Sequence, residues 1–162
     1  MSYKVSKLTS EKLEETAKVY EFSIKDNPKG FIQDIDYHGS VEKMDNDFSA
    51  NNGGIYILED ENTVIGMGAL RNVDGETAEL CKLHILPEHK GKGLGKKLAI
   101  ELMQQAKDKG FSKTNLHVTI TQKAAIGLYE KLGFKKYHQE IYKLDHNGQN
   151  LEFDTIFMEK NI

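Results

Sequence analysis

Several features common in secreted, membrane and metal-binding proteins are missing from this 162-residue sequence. Cys81 is the only cysteine, which excludes an intramolecular disulfide and favours a reducing compartment. No apolar run approaches the roughly 20 residues of a membrane-spanning helix, and the polar start MSYKVSKLTSEK lacks a signal-peptide core. We therefore expect a cytoplasmic protein that has no membrane partner.

A basic excess and the residue spacing of a metal site are also missing. The formal net charge is −3, which argues against a general nucleic-acid-binding protein. The six histidines are scattered, and the closest pair, His84 and His89, has neither cysteine partners nor a helical HxxxH spacing. We expect neither a nucleic acid nor a metal ion as ligand.

No linker, repeat or low-complexity segment divides the chain, so residues 1–162 are predicted to form a single domain. Apolar runs, turns and helical periods predict the order β-α-α-β-β-β-α-β-α-β-β, which is a mixed α/β sheet. Strands are predicted at residues 3–8, 55–58, 64–70, 80–86, 114–119, 134–144 and 151–160. Helices are predicted after Thr9 or Ser10, at 40–48, from 94 to a C-cap at 109–110, and at 122–132, whereas 27–30 breaks the pattern and 31–37 mixes apolar with acidic residues.

A glycine-rich turn joins the predicted strand at 80–86 to the helix that begins at Leu94. Alternating glycines let successive N–H groups point into one concavity, and the helix adds unpaired N–H donors and the positive end of its dipole. The sequence therefore predicts an anion site. Four lysines favour a pyrophosphate over a single carboxylate: Lys90, Lys92, Lys96 and Lys97.

Two common phosphate-binding patterns do not fit this turn. A Walker A loop needs Ser or Thr after its lysine, but Lys96 is followed by Lys97. The dinucleotide fingerprint needs G-x-G-x-x-G, but Gly91, Gly93 and Gly95 have the spacing G-x-G-x-G. A different phosphate-bearing ligand is therefore indicated.

Two segments resemble the GNAT superfamily of N-acetyltransferases. Residues 90–95, KGKGLG, resemble the family's acyl-CoA loop [R/Q]-x-x-G-x-[G/A], with Lys90 in the first position. Residues 122–134, QKAAIGLYEKLGF, are similar to the family's N-x-x-A-[I]-x-L-Y-E-K-L-G-F, with Gln122 in the asparagine position. The predicted element order also resembles the GNAT fold along nearly the whole chain. The resemblance implies direct transfer of an acetyl group from acetyl-CoA, as co-substrate, to a primary amine of a small molecule or peptide.

The resemblance also implies how acetyl-CoA is bound. The glycine loop would hold the pyrophosphate, and the strand that ends at residues 83–85 would bind the pantetheine arm through its backbone. In the family a bulge on this strand frees an N–H group to face the thioester carbonyl. The cofactor-binding residues so implied are Leu83, His84, Ile85, Lys90, Gly91, Lys92, Gly93, Leu94, Gly95, Lys96, Gln122 and Tyr129.

Tyr129 and Glu79 are the catalytic residues that the resemblance implies. The family's matching tyrosine lies near the CoA sulfur and can protonate the leaving thiolate, and a phenol with a pKa near ~10 is protonated at neutral pH. Glu79 lies six residues before Ile85, at the offset of a glutamate that acts as base in histone acetyltransferases of the superfamily. His84 and His117 are the alternative bases, because their intrinsic pKa near ~6.5 matches the task.

The acceptor and the assembly have several interpretations. Acidic and aromatic residues would suit a cationic amine such as a polyamine or a lysine-like group, although solvated charge on exposed helices explains the same residues without a substrate and is the favoured interpretation: Asp34, Asp36, Tyr37, Glu42 and Tyr142. Dimers are frequent in the family, so a homodimer is favoured. The alternatives to an N-acetyltransferase are an acyltransferase for a longer acyl-CoA, a non-catalytic acyl-CoA-binding regulatory module, and an interaction domain without CoA.

Overall fold

The computed structural model describes residues 2–25 and 39–162. Within these residues the elements follow the predicted order. The strands are β1 Tyr3–Lys7, β2 Gly54–Asp60, β3 Thr63–Asn72, β4 Thr77–Ile85, β5 Lys113–Thr119, β6 Lys135–His146 and β7 Gln149–Asn161. The helices are α1 Leu13–Lys25, α2 Val41–Ala50, α3 Leu94–Asp108 and α4 Lys123–Lys131, with 3-10 turns at Ser10–Lys12 and Pro87–His89. The break predicted at 27–30 and the mixed stretch at 31–37 lie outside the described residues.

The described strands form one seven-stranded sheet in the order β1-β2-β3-β4-β5-β7-β6. Neighbouring strands are antiparallel except β4 and β5, which are parallel. The parallel pair follows from α3, because a helix must carry the chain back before a parallel strand can begin. The sheet is therefore mixed, as predicted.

Helices cover both faces of the sheet. On one face, Tyr20 and Ile24 of α1 pack in a buried cluster with Ile57 and Met67. On the other face, the predicted helical stripe of α3 is buried against β3, β4 and β5: Leu94, Leu98, Leu102 and Ala106. No helix within the described residues is long and apolar enough to cross a membrane. The helices serve to sandwich the sheet.

The sheet divides between β4 and β5. These two strands pair only where residues 77–79 face residues 113–115. Beyond that point β4 continues along β3 to Ile85, whereas β5 continues along β7 to Thr119. A gap therefore opens between the carboxyl ends of two parallel strands, which is where ligands bind in many α/β sheets.

A β-bulge lies on β4 beside this gap. The register along β3 shifts between Met67 and Ala69, so that β4 carries one extra residue. Lys82 lies within this bulge and has a φ of +56°, in the left-handed region that residues with side chains seldom adopt. A bulge leaves one residue outside the ladder and turns its backbone groups away from the neighbouring strand. This is the strand on which the family resemblance implies a bulge.

Candidate active site

The glycine loop leads from β4 into α3 through two left-handed residues. Gly91 has a φ of +83° and Gly93 a φ of +74°. No described atom lies within 4 Å of where a Cβ would be at either position, so the backbone angle, and not space, requires glycine here. Gly93 is the N-cap of α3 and caps it with no side-chain hydrogen bond. The first N–H groups of α3 can therefore serve an anion.

A cavity of about 600 Å³ lies over this loop. Its lining contains eleven of the twelve predicted cofactor-binding residues: Leu83, His84, Ile85, Lys90, Gly91, Gly93, Leu94, Gly95, Lys96, Gln122 and Tyr129. Lys92 is the one predicted cofactor-binding residue that is not in the described lining of this cavity. Phe22 and Ser23 of α1 also line the cavity, and no signal in the sequence indicated them because they reach it only through the tertiary fold.

A second cavity, of about 680 Å³, occupies the gap between β4 and β5. Its walls are residues 80–84 of β4 and residues 116–119 of β5. Leu83, His84, Gln122 and Tyr129 line both cavities. The two cavities therefore meet at the carboxyl end of β4, beside Tyr129.

Tyr129 is buried on α4 where the cavities meet. Its ring stands edge-on to Phe134, with the centroids 5.8 Å apart and the planes at 67°. Burial raises the pKa of the Tyr129 phenol to about 12. The hydroxyl is therefore protonated throughout the physiological range and can only donate its proton there.

Gln122 closes the turn between β5 and α4. Its Oε1 atom accepts hydrogen bonds from the Thr119 N–H at 3.1 Å and from the Thr119 hydroxyl at 3.2 Å. The residue thus fixes the end of β5 relative to the start of the helix that carries Tyr129. This structural contact exists alongside the cofactor-binding role that the resemblance implies for Gln122.

Glu79 lies behind the gap in a two-point ion pair. Arg71 donates from Nε and Nη2 to its two carboxylate oxygens, each at 3.2 Å. The hydrogen bond with Glu79 raises the pKa of the Arg71 guanidinium. Glu79 Oε2 is also 3.7 Å from Nε2 of His117 on β5. Among the described residues, His117 lines the second cavity whereas Glu79 lines neither.

Aromatic side chains form the far wall of the second cavity. Phe157 of β7 is surrounded by the rings of four residues at centroid distances of 5.2 to 6.2 Å: His117, Tyr137, His138 and Tyr142. Phe153 and Thr155 continue this wall along β7. Alternate positions of one strand share a face, so the spacing 153, 155, 157 was the available signal for this wall.

The acidic and aromatic residues that would suit a cationic acceptor do not gather at the cavities in the described part of the chain. Tyr142 lines the second cavity, whereas Glu42 is exposed on α2 and lines neither. Asp34, Asp36 and Tyr37 lie outside the described residues. Within residues 2–25 and 39–162, no group of three or more His, Cys, Asp or Glu side chains could hold a metal ion. The expectation of no metal stays a prediction.

Comparison with known proteins identifies a family and a fold. Residues 15–134 match the sequence model of the Acetyltransferase (GNAT) family. An Escherichia coli K12 protein named "Uncharacterized N-acetyltransferase YjgM" is 41% identical over 83 residues, which are 49% of this chain and 50% of that protein. Human N-acetyltransferase 8B is 35% identical over 92 residues, which are 54% of this chain and 40% of that protein. The matched segments thus span half or less of these two curated relatives.

The fold is that of solved acetyltransferase structures. A GNAT superfamily phosphinothricin acetyltransferase from Sinorhizobium meliloti, in complex with acetyl-CoA, superposes with a TM-score of 0.79. The superposition covers 100% of this chain and 89% of that one, at 19% sequence identity. At this identity the likeness extends to the fold alone.

Proposed function

This chain belongs to the GNAT family of acetyltransferases, and from that premise we propose that it transfers the acetyl group of acetyl-CoA directly to a primary amine. The acceptor amine would belong to a small molecule or a peptide. The observation that carries the proposal is the meeting of two cavities at Tyr129, one over an anion-binding loop and one in the gap of the sheet. Such a path can bring an acyl donor and an acceptor to one point.

The first cavity is the proposed donor site. The pyrophosphate would lie against the N–H groups of the glycine loop and α3, with Lys90 and Lys96 as counter-charges. The pantetheine arm would follow residues 83–85, where β5 no longer pairs with β4. Extended ligands bind such an unpaired strand through backbone hydrogen bonds.

The proposed chemistry forms one bond and breaks one. The amine nitrogen attacks the thioester carbonyl carbon, the C–N bond forms, and the C–S bond breaks. Tyr129 gives its proton to the departing sulfur, and a backbone N–H at the β4 bulge stabilises the carbonyl oxygen. That Glu79 takes the proton of the amine stays a prediction. Its carboxylate is already bound by Arg71 and lies beside His117.

Two alternatives involve the same donor site. A longer acyl-CoA would need room beyond the thioester, and the second cavity of about 680 Å³ is the space available for it. A non-catalytic acyl-CoA-binding module would need the loop but no acid. Tyr129, buried where the cavities meet, favours an enzyme over such a module.

Compartment and assembly stay predictions. The single cysteine favours the cytoplasm, since Cys81 has no partner within the chain for a disulfide. Burial raises the pKa of its thiol to about 12, which keeps it protonated. The homodimer is proposed from the family resemblance alone.

The test is thiol release from acetyl-CoA with four classes of acceptor: spermidine, kanamycin, free lysine and an unblocked peptide. Wild type is compared with Tyr129→Phe, which keeps the ring and removes the proton. We expect turnover on one class and at least a tenfold lower rate for the variant, as removal of a general acid predicts. Binding of acetyl-CoA without turnover on any amine would favour the regulatory module, and the absence of CoA binding would exclude both.

A further inference from the structure

We infer that His117 takes the proton of the acceptor amine, and that Glu79 and Arg71 act as positioning residues behind it. The inference rests on the proposed acetyl transfer. It assigns the proton to a residue of β5 and gives the glutamate of β4 an indirect task. Three side chains on three adjacent strands carry it.

The three side chains lie in a line across the sheet. Arg71 and Glu79 are direct cross-strand partners, and Arg71 holds both carboxylate oxygens at 3.2 Å. The Glu79 side chain is 12% exposed and that of Arg71 46%, so the carboxylate is largely removed from water while the guanidinium reaches it. Its Oε2 atom then lies 3.7 Å from His117 Nε2. A carboxylate so fixed favours the tautomer with hydrogen on Nε2 and stabilises an imidazolium.

His117 lines the cavity that reaches Tyr129, and Glu79 lines neither cavity. The imidazole lines the second cavity together with Tyr129, and its side chain is 53% exposed. Glu79 is absent from the described lining of either cavity. An amine bound in the second cavity therefore meets the imidazole before it meets the carboxylate.

The ring nitrogens then have distinct tasks. With hydrogen on Nε2, the lone pair of Nδ1 accepts the proton that the amine loses as its C–N bond forms. The imidazolium carries the positive charge beside Glu79 and later releases the proton to solvent. Tyr129 supplies a different proton, to the sulfur, as the C–S bond breaks, and its phenolate regains one proton from solvent, equal to the one that the imidazolium releases. Amide and free thiol are the products, and protons balance without any further reactant.

Other titratable groups share the surroundings of His117. They come from every element that borders this part of the sheet: Tyr20 on α1, Arg71 on β3, Glu79, Cys81, Lys82 and His84 on β4, Tyr129 on α4, Glu159 on β7, and His138, Glu140 and Tyr142 on β6. The Cys81 thiol also contacts the Glu79 carboxylate. Glu159 is paired with Lys113 at 3.4 Å, and His138 with Glu140 at 3.4 Å. Within the described residues, Glu79 is the carboxylate in ion-pair contact with His117.

His138 provides a matched control. Its ring also packs on Phe157, at 5.2 Å compared with 5.7 Å for His117, and its side chain is similarly exposed. Among the described residues it lines neither cavity. Substitution of either histidine removes one imidazole from the same aromatic cluster, but only His117 borders the proposed acceptor.

The kinetic test compares His117→Ala, Glu79→Gln and His138→Ala in kcat/KM against pH, on the amine of the four-class panel that wild type acetylates fastest. We expect kcat/KM of His117→Ala to be about 100-fold lower than that of wild type at pH 7. The fall of kcat/KM at acid pH, the acid limb of the profile, should be absent from this variant. Added imidazole should raise the rate of His117→Ala at least about tenfold, since imidazole can enter the space that the side chain leaves. Glu79→Gln should keep the acid limb and lower kcat/KM less than His117→Ala does, and His138→Ala should match wild type.

A second measurement needs no acceptor. The tautomers of His117 and His138 are read from their ring ¹⁵N resonances by NMR, at one alkaline pH, in wild type and Glu79→Gln. Loss of the adjacent carboxylate should reduce the share of the His117 tautomer that carries hydrogen on Nε2 and leave His138 unchanged. An unchanged His117 tautomer would overturn the positioning role of Glu79.

Failure of the inference can be told from failure of the proposed function. If wild type acetylates an amine and His117→Ala keeps the wild-type profile, or is not rescued by imidazole, the inference is wrong and the function stands. If Glu79→Gln abolishes the acid limb while His117→Ala retains it, Glu79 is the base. If wild type acetylates no amine of the panel, the proposed function and the inference fall together.

Discussion

Lys96 and Lys97 follow one another in the first turn of α3, yet of these two exposed lysines only Lys96 lines the cavity over the glycine loop. Lys96→Ala should weaken binding of CoA about tenfold, because a charge-assisted contact to the pyrophosphate is lost. Lys97→Ala removes the same charge one residue further on and should change the Kd less than twofold. Calorimetry at low and high salt measures both. Equal losses for the two variants would mean that general positive potential, and not a contact, holds the ligand.

Gly93 is predicted to be needed for ligand binding beyond its effect on stability. Its φ of +74° disfavours any side chain, and Gly75 in the β3–β4 turn has a comparable φ of +89°. Either glycine changed to alanine should lower the free energy of unfolding by about 1 kcal/mol. Only Gly93→Ala should also weaken CoA binding, by about tenfold or more, because its turn positions the N–H groups of α3. Urea unfolding and calorimetry on both variants separate the two effects.

Tyr129 should make no contribution to the pH dependence of the rate below about pH 11. Burial raises the pKa of its phenol to about 12, so the proton-donating form is fully present below that value and is lost only above it. The ratio of wild-type to Tyr129→Phe rates should therefore be constant from pH 6 to pH 10. A ratio that shrinks above pH 9 would reveal a more acidic phenol than its burial implies. Parallel pH–rate profiles of the two proteins make the measurement.

Asp45 is predicted to stabilise the packing of α2 on the sheet. Its Oδ1 atom accepts from the Ile55 N–H at 2.9 Å and from Lys7 Nζ at 2.6 Å, and its side chain is 19% exposed. Asp45→Ala should cost about 2 kcal/mol, because a strand N–H loses its acceptor along with an ion pair. Asp47, on the same helix, pairs with Lys43 while 61% exposed. Asp47→Ala should cost less than about 0.5 kcal/mol in the same urea titration.

Local sequence signals predicted the elements and the glycine loop well. The spacing of Leu94, Leu98, Leu102 and Ala106 defined the buried side of α3 because helical periodicity is a property of neighbouring residues. The loop was predictable for the same reason, since positive φ angles select glycine residue by residue. The parallel pairing of β4 with β5 followed from the helix between them.

Features that depend on distant parts of the chain were not predictable. Nothing in the alternation of β7 indicates that it inserts between β5 and β6, because a strand's pattern shows which face is buried and not which strand lies beside it. The contact between Glu79 and His117 joins residues 38 positions apart and depends on the place where β4 and β5 separate. The sequence supplied both residues as candidates, but their arrangement required the fold.

The meeting of the two cavities at four shared residues has a consequence for the order of binding. A donor in one cavity and an acceptor in the other occupy separate spaces, so neither has to leave before the second arrives. A ternary complex can then form, and no acetylated form of the protein has to accumulate. Double-reciprocal plots at several fixed donor concentrations should intersect instead of running parallel.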